Sequence, residues 1–325
     1  MTYNLKTGNI LIMTVVLAVF SFGCTQTEEE VSVNPLESFG IIANNAFFYY
    51  DDVEAATEFY TETLGLRLTA DYGFAKIVQV ASTSYLILVD ADEGMHSTDE
   101  PKTVALALIT DQLDEWYAYL VEQGVEMRYE FNPTEGRPHD GFVAYDPEGY
   151  YLEFERFNEH PENELLMPLL EQTETLYPDP EQATTVPEGL GFKATVLWLY
   201  YRDTAGALAF LEEKLGLEKV VDQGWAWIYQ TSPSGYIGPV DETRGMHSYT
   251  EQKAVTVSFF TNDLDGWHSY VSETGAFEVR DTEIHADSAG RFRAFVGYDP
   301  EGYFLEFDEF LEHELNLRLL ESLER

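Results

Sequence analysis

The chain alternates between apolar runs typical of strands and segments in which apolar residues recur every three or four positions. Residues 46–50 form one apolar run, and Asp51 and Asp52 follow it as candidate helix caps. Residues 53–64 have the amphipathic spacing of a helix, which we expect to end at Gly65. Three further strand-like runs lie at 67–72, 74–80 and 85–89. The pattern predicts one βαβββ unit.

The same order of elements returns three more times along the chain. A second unit extends from 104 to 155, a third from 195 to about 245 and a fourth from 254 to about 309. The prediction is therefore an α+β protein of four βαβββ units.

A turn-and-strand motif shows that the units are duplicated as pairs. Asp146-Pro-Glu-Gly-Tyr-Tyr-Leu-Glu-Phe returns from Asp299 with a single change. Asp-Pro-x-Gly predicts a turn, and the alternating residues after it predict a strand. Leu64-Gly-Leu and Gly94-Met-His also return, at one constant spacing. A constant spacing over such a distance indicates a duplicated domain.

These motifs together resemble the vicinal oxygen chelate superfamily, which includes glyoxalase I, bleomycin-resistance proteins and extradiol dioxygenases. The resemblance covers 42–157 and 192–310. It implies that consecutive units pair into open barrels, each around one pocket. The expected modules are 42–173 and 192–325, each with a C-terminal helix, joined by a linker at 174–191.

The resemblance also implies a divalent metal held by up to four ligands on the first and last strands of the units. Of the ligand positions read from this sequence, only Glu153 and Glu306 carry a metal-binding side chain. One carboxylate in each pocket cannot hold zinc or iron, which need at least three protein ligands. We therefore expect no metal and no cofactor. The other positions are Asn45, Val104, Val196, Val255, Ile87 and Gly238.

Glu153 and Glu306 are the candidate catalytic residues. Burial among aromatic side chains raises a carboxyl pKa toward the range of a general base. The alternative is a carboxylate on the outer face of its strand, in contact with water. The repeat does not distinguish a catalytic carboxylate from a solvent-exposed one, because duplication copies structural residues as well. We expect the outward orientation.

Six further residues are candidate ligand contacts. His96 and His247 follow Gly-Met at strand ends, where a histidine can exchange a proton near neutral pH or simply bond to the backbone. Arg128 and Arg280 can bind a carboxylate, although an ion pair with one of the many acids is the simpler expectation. Trp225 and Trp227 alternate across two faces of a strand, so one is expected in the core and the other against the ligand.

The N-terminus predicts export to the cell envelope. Residues 1–23 combine Lys6 with a short apolar run, and Cys24, the chain's single cysteine, follows directly. This resembles a bacterial lipoprotein signal, in which the cysteine is lipid-modified; the alternative is a short uncleaved anchor. Residues 24–41 are expected to be a tether, with the protein on the periplasmic side or the outer membrane.

The amino-acid composition excludes two classes of binding partner. Lys+Arg 18 against Asp+Glu 59 gives a net charge of −41. Such an acidic protein repels nucleic acid and anionic membranes, so the lipid anchor is the expected membrane contact.

The function predicted from these residues is metal-independent binding of a small apolar or aromatic molecule, as in the bleomycin-resistance branch. The first alternative is a lyase, isomerase or dioxygenase relative that uses Glu153 or Glu306, or a divalent metal. The second is an inert scaffold that binds a protein partner.

Overall fold

The structure is a computed structural model that describes residues 1–2 and 34–324. The predicted signal peptide beyond Thr2, Cys24 and most of the tether lie outside these residues. Residues 34–324 fall within one compact unit. None of the helices in the described residues has the length and apolarity needed to span a bilayer.

All four predicted units are present, and the first two follow the expected order of elements. The first unit begins with a short helix and comprises α1 Pro35–Phe39, β1 Ala43–Tyr50, α2 Val53–Glu58, a π-helical turn Phe59–Thr63, β2 Arg67–Asp71, β3 Ala75–Ala81 and β4 Ser84–Asp90. The second comprises β5 Val104–Ile109, α3 Leu113–Glu122, β6 Met127–Tyr129, β7 His139–Tyr145 and β8 Tyr151–Phe157, followed by a 3-10 turn Pro161–Asn163 and α4 Leu166–Gln172.

The third and fourth units repeat this arrangement. The third comprises β9 Ala194–Tyr201, α5 Thr204–Ala209, a π-helical turn Phe210–Lys214, β10 Glu218–Asp222, β11 Trp227–Ser232 and β12 Gly235–Asp241. The fourth comprises β13 Thr256–Phe260, α6 Leu264–Thr274, β14 Glu278–Val279, β15 His285–Ala286, β16 Phe292–Tyr298 and β17 Phe304–Phe310, followed by a 3-10 turn Glu314–Asn316 and α7 Leu317–Leu323.

The units combine into two mixed sheets, but not in the order expected from the resemblance. One sheet has the order β14-β16-β17-β13-β1-β4-β3-β2 with β15 beside β16, and the other β10-β11-β12-β9-β5-β8-β7-β6. The first unit therefore pairs with the fourth, and the second with the third. The expected pairs, the first unit with the second and the third with the fourth, are corrected: one barrel is the continuous middle of the chain, and the other joins its two ends.

The physical reason lies in the first strand of each unit, which joins the two halves of each sheet. β1 pairs antiparallel with β13, and β5 pairs antiparallel with β9. Every first strand offers the same free edge of N–H and C=O groups, so several pairings satisfy the backbone equally. Strand periodicity therefore predicts the four units but does not predict which unit pairs with which.

Alternation along β1 separates the core from the concave face. Phe48 and Tyr50 are buried in the large core that also contains Trp116 and Trp267 of α3 and α6. Phe47 and Tyr49 point the other way and line a cavity. Each sheet therefore packs helices on its outer face and leaves a pocket on its inner face.

The repeated Asp-Pro-Glu-Gly-Tyr turn connects the two sheets. The Tyr150 hydroxyl accepts a hydrogen bond from the Tyr49 N–H at 3.0 Å and donates to the Ala254 carbonyl at 2.6 Å. Tyr303 does the same with the Tyr200 N–H and the Thr103 carbonyl, both at 2.8 Å. Through its tyrosine hydroxyl, each turn therefore connects the strand that follows it to the other sheet.

Candidate functional site

The concave face of each sheet contains one large pocket. We call them the Glu306 pocket and the Glu153 pocket. Their volumes are about 340 and 300 Å³. The Glu306 pocket combines residues of the first and fourth units, whereas the Glu153 pocket combines residues of the second and third. The nested pairing of the units therefore decides which side chains share a pocket.

Aromatic rings and two carboxyl groups from β17 line the Glu306 pocket. The strand alternation points Glu306 and Asp308 toward the same cavity. Both are buried. The aromatic residues that line it include Phe47, Tyr49, Tyr72, Phe74, Phe292 and Phe310.

The carboxyl groups of Glu306 and Asp308 act as a pair. The Ser258 hydroxyl donates to Asp308 Oδ2 at 2.5 Å. Burial raises the pKa of Asp308 to about 7, although hydrogen bonds from Ser258 and Glu306 oppose the rise. Burial and the neighbouring Asp308 charge raise the pKa of Glu306 well above its ordinary value. Glu306 is therefore the more readily protonated member of the pair and donates a hydrogen bond to Asp308.

The Glu153 pocket repeats this arrangement with different chemistry. Glu153 and Glu155 of β8 line it together with the ring of His139 from β7. The closest approach of His139 Nδ1 to Glu155 Oε1 is 3.8 Å. The tryptophans that line the pocket are Trp198 and Trp225, and Tyr129 and Tyr200 line it as well.

Burial controls the protonation of this second site. Burial raises the pKa of Glu153 to about 7, and the indole of Trp198 opposes the rise. Burial and the nearby Glu153 charge raise the pKa of Glu155 well above its ordinary value. Burial also lowers the pKa of His139. Burial therefore shifts these three groups toward their neutral forms, which can donate and accept hydrogen bonds.

The orientation expected for Glu153 and Glu306 is corrected by the structure. Both side chains point into a pocket rather than toward bulk solvent. The pleat explains this, because the apolar residues on either side of each glutamate face the helices. The sequence could not choose between the faces, since both sides of these sheets are buried.

Trp225, just before β11, and Trp227, its first residue, lie on opposite faces of the sheet. Trp225 lines the Glu153 pocket, with the Arg244 guanidinium 4.7 Å from its ring centroid. Trp227 does not line the pocket and is buried in the core on the opposite face.

The predicted histidines pack beside the pockets. His96 Nδ1 lies 2.7 Å from Glu100 Oε2, and the ring packs between Tyr49 and Phe304. His247 packs on Tyr151 with ring centroids 4.3 Å apart. Both are absent from the residues that line the two pockets. Burial lowers the pKa of His96 and lowers that of His247 to about 4.

The predicted arginines occupy different places. Arg280 lines the Glu306 pocket and donates to Met95 Sδ at 3.0 Å. Arg128 is exposed, with its guanidinium 5.8 Å from the ring centroid of Tyr151. Neither arrangement is the carboxylate ion pair that was the simpler expectation.

Sequence reasoning missed Glu155, Asp308 and His139. A signal for the first two was present, because the residues two positions after Glu153 and Glu306 are also acidic and alternation places them on the same face. His139 had no such signal, because it is the first residue of β7 and follows an irregular stretch with no recognisable period.

The fold and pockets can now be compared with known proteins. Residues 42–154 match the family model of the Glyoxalase/Bleomycin resistance protein/Dioxygenase superfamily. This similarity spans the first two βαβββ units. No curated protein shows significant similarity to the chain.

Solved structures extend the likeness in fold to most of the chain. Glyoxalase I from Zea mays is 15% identical, with a TM-score of 0.58, and the match covers 90% of this chain and 98% of that one. A proposed dioxygenase from Bacillus subtilis is also 15% identical, with a TM-score of 0.58, over 84% and 86% of the two chains. At such identities the likeness shows the fold alone.

The residues at the metal-ligand positions of this superfamily do not fit a metal ion. Asn45, Val196, Ile87 and Gly238 lie on inward faces of their strands, but none provides a carboxylate, imidazole or thiolate. In the Glu153 pocket the Trp198 ring occupies the space beside Gly238, where an added Cβ would lie 2.0 Å from Trp198 Cε3. Among the described residues no group of three or more His, Cys, Asp or Glu side chains could hold a metal.

Two of the positions read from the sequence need correction. Val104 and Val255 are buried in the helix-side core. The sequence count placed the helix start at Asp111, but the cap of α3 is Gln112. A shift of one residue moves a strand position to the other face. The inward positions are therefore Ala105 and Thr256, which also lack a metal-binding group suited to zinc or iron.

Proposed function

We propose that the protein binds a small apolar or aromatic molecule in each of its two pockets, without a metal ion. The observation that carries the proposal is the pair of cavities, each lined by aromatic side chains and a buried carboxyl pair. Pockets of about 300 Å³ or more that combine apolar and aromatic walls with placed polar groups are typical of small-molecule sites. The rings supply apolar contact area, and the carboxyl groups fix the orientation of a polar ligand atom.

Binding of phenylnaphthylamine, a neutral two-ring dye that fluoresces in apolar surroundings, tests this proposal. Two variants fill one pocket each: Ala294→Phe in the Glu306 pocket and Ala226→Phe in the Glu153 pocket. We expect saturable dye fluorescence, reduced in each variant and lost when the two are combined. Thermal unfolding of each variant checks that it is folded. A dye that does not bind, or that binds equally to a folded double variant, would overturn the proposal.

A second candidate is an enzyme that transfers a proton through Glu153. The observation in its favour is the pKa of about 7, which suits a general base at neutral pH. Exchange of the α-proton of phenylacetaldehyde in heavy water, followed by nuclear magnetic resonance, tests it. Exchange above the solution rate that is lost in Glu153→Gln would favour the enzyme, and its absence would favour the binding protein.

We also propose that Cys24 carries a lipid that holds the protein in the cell envelope. The support is the sequence of residues 1–24 alone, and the acidic surface argues against nucleic acid as a partner. Labelled palmitate should be incorporated into the protein expressed in bacteria and not into Cys24→Ser. Labelling of both, or of neither, would overturn lipidation at this cysteine.

A further inference from the structure

The two pockets differ in the charge of the residues that line them. The Glu153 pocket has two carboxyl groups, one arginine and one histidine. The Glu306 pocket has five carboxyl groups against Arg280 and His285. The duplicated scaffold therefore presents one balanced pocket and one acidic pocket. The five acidic residues are Glu93, Asp281, Glu283, Glu306 and Asp308.

One carboxyl oxygen of the acidic pocket lacks a partner. Glu306 is 7% exposed, and its Oε2 atom has no hydrogen-bond partner among the described residues. Asp308 differs, because the Ser258 hydroxyl donates to it. A buried carboxyl oxygen without a donor costs free energy, and a ligand that donates a hydrogen bond would remove that cost.

The wall around Glu306 suits a positive ligand. Aromatic faces attract an ammonium group, and the attraction grows when the group is shielded from water. Phe47 and Tyr49 of β1, with Phe292 and Phe310 from the fourth unit, supply such rings. Tyr72 and Phe74 already have a cation, the Arg291 guanidinium, at 4.6 and 5.6 Å from their ring centroids. A carboxylate beside aromatic faces gives an ammonium group both a hydrogen-bond acceptor and a cation–π wall.

Arg280 is the one arginine that lines this pocket, and other groups engage it. It donates to Met95 Sδ at 3.0 Å, and its guanidinium carbon lies 5.8 Å from the ring centroid of Phe304. Its charge lowers the pKa of Glu306 only in part, since burial and Asp308 raise it more. The pocket therefore keeps its acidic character despite this arginine.

We propose that the Glu306 pocket binds an organic cation, a protonated amine on an aromatic group, whose ammonium donates a hydrogen bond to Glu306 Oε2. This inference rests on the proposed function and names the ligand class of one pocket. The ring of the ligand contacts the aromatic wall, and the ammonium replaces the proton that Glu306 otherwise holds.

Proton release follows from this exchange. The ammonium stabilises the ionised form of the Glu306–Asp308 pair, so binding expels a proton, and affinity rises between pH 5 and pH 8. The amine itself stays protonated over this range, because its pKa is about 10. The other charged or titratable groups that face the pair from the pocket walls are Tyr49, Tyr72, Glu93, Arg280, Asp281, Glu283 and His285.

Three probes with one ring and different end groups test the charge preference. Phenethylamine is a cation, phenylethanol is neutral and phenylacetate is an anion. Titration calorimetry of the full-length protein at pH 8 should show that phenethylamine binds about tenfold or more tightly than phenylethanol. Phenylacetate should bind most weakly. Calorimetry in buffers with different ionisation enthalpies should show proton release with phenethylamine only.

Variants assign the preference to one carboxyl group. Glu306→Gln should remove the preference for phenethylamine, while Glu188→Gln, which changes an exposed carboxylate away from both pockets, should keep it. Thermal unfolding confirms that each variant is folded. If Glu153→Gln removed the preference and Glu306→Gln did not, the assignment to the Glu306 pocket would be wrong.

The failure of this inference differs from the failure of the proposed function. If phenylethanol binds as tightly as phenethylamine while phenylnaphthylamine still binds, the cation preference is overturned and small-molecule binding remains. If neither phenylnaphthylamine nor any of the three probes binds, both are overturned.

Discussion

The Trp198 ring lies directly against Gly238 on the neighbouring strand, at the floor of the Glu153 pocket. These residues are paired in the register of β9 and β12. The equivalent pair in the Glu306 pocket is Phe47 and Ile87. One pocket thus combines a large ring with no side chain, and the other a smaller ring with a branched one. The two pockets therefore place side chains of different volume at equivalent positions of the strand register.

Gly238→Ala should destabilise the protein by about 1 to 3 kcal/mol, the usual cost of overpacking. The new Cβ would lie 2.0 Å from Trp198 Cε3, so the indole must move. Urea denaturation at constant pH measures the change in the free energy of unfolding. A variant as stable as the parent would contradict the contact.

Trp198→Phe combined with Gly238→Ala supplies the matched control. The smaller ring should accept the added methyl group, as Phe47 accepts Ile87 in the other pocket. We expect the double variant to be more stable than the sum of the single changes. Strict additivity would show that the two residues do not compete for space.

Stability should fall as pH rises from 5 to 8, because of the Glu306–Asp308 pair. The folded-state pKa of Asp308 is raised to about 7. The folded state therefore binds protons more tightly than the unfolded state. This stabilisation is complete below the unfolded pKa of about 4 and is lost as pH rises through about 7.

Glu306→Gln with Asp308→Asn should reduce that pH dependence by at least about 1.4 kcal/mol, the value of one pKa unit. The comparison uses urea denaturation at pH 5 and pH 8. Repulsion across the acidic surface also changes with pH, but it affects parent and variant alike. Glu188→Gln serves as the control, because it removes an exposed carboxylate and should leave the pH dependence unchanged. An equal effect of both changes would contradict the prediction.

The order of elements in this fold could be predicted because it depends on local chemistry. Period-two alternation, helix-capping aspartates and glycines with positive φ each act within a few residues. Asp52 caps α2 and Asp263 caps α6 through their side chains. Gly65 has a φ of 68°, just after the π-helical turn that continues α2.

The arrangement of the pockets could not be predicted in the same way. Whether β1 lies beside β5 or β13 depends on edges that are chemically alike, and the choice decides which residues share a cavity. The orientation of Glu306 was equally hidden, since β17 is buried on both faces. The alternation predicts two faces for the strand, but it does not tell which of them lines the pocket when both are buried.

Asp146→Ala should be among the most destabilising changes in the chain. Its Oδ2 accepts from the hydroxyls of Tyr50 and Tyr60 at 2.7 and 3.0 Å, and its Oδ1 from the N–H groups of Glu148 and Tyr150. Loss of one partner from a buried charged network costs about 3 to 5 kcal/mol. Thermal and urea unfolding measure the loss.

Asp299→Ala is the matched comparison in the second half of the chain. Asp299 accepts from the equivalent N–H groups of Glu301 and Tyr303. Tyr60, however, is replaced there by Leu211, so one hydroxyl donor is missing. We expect this variant to lose about 1 kcal/mol less than Asp146→Ala, the value of one hydrogen bond. A larger loss at Asp299 would contradict the role given to Tyr60.

Tyr150→Phe should weaken the connection between the two sheets. The change keeps the stacked contact with Phe48, at 3.9 Å between ring centroids, but leaves the Tyr49 N–H and the Ala254 carbonyl without their partner. An unsatisfied buried group costs about 1 to 3 kcal/mol. Hydrogen exchange should therefore show faster exchange of the Tyr49 amide, together with a lower unfolding temperature. Tyr303→Phe should produce the same effect at the Tyr200 amide and leave the Tyr49 amide protected. Faster exchange at both amides in both variants would mean that the turns stabilise the whole molecule rather than one junction each.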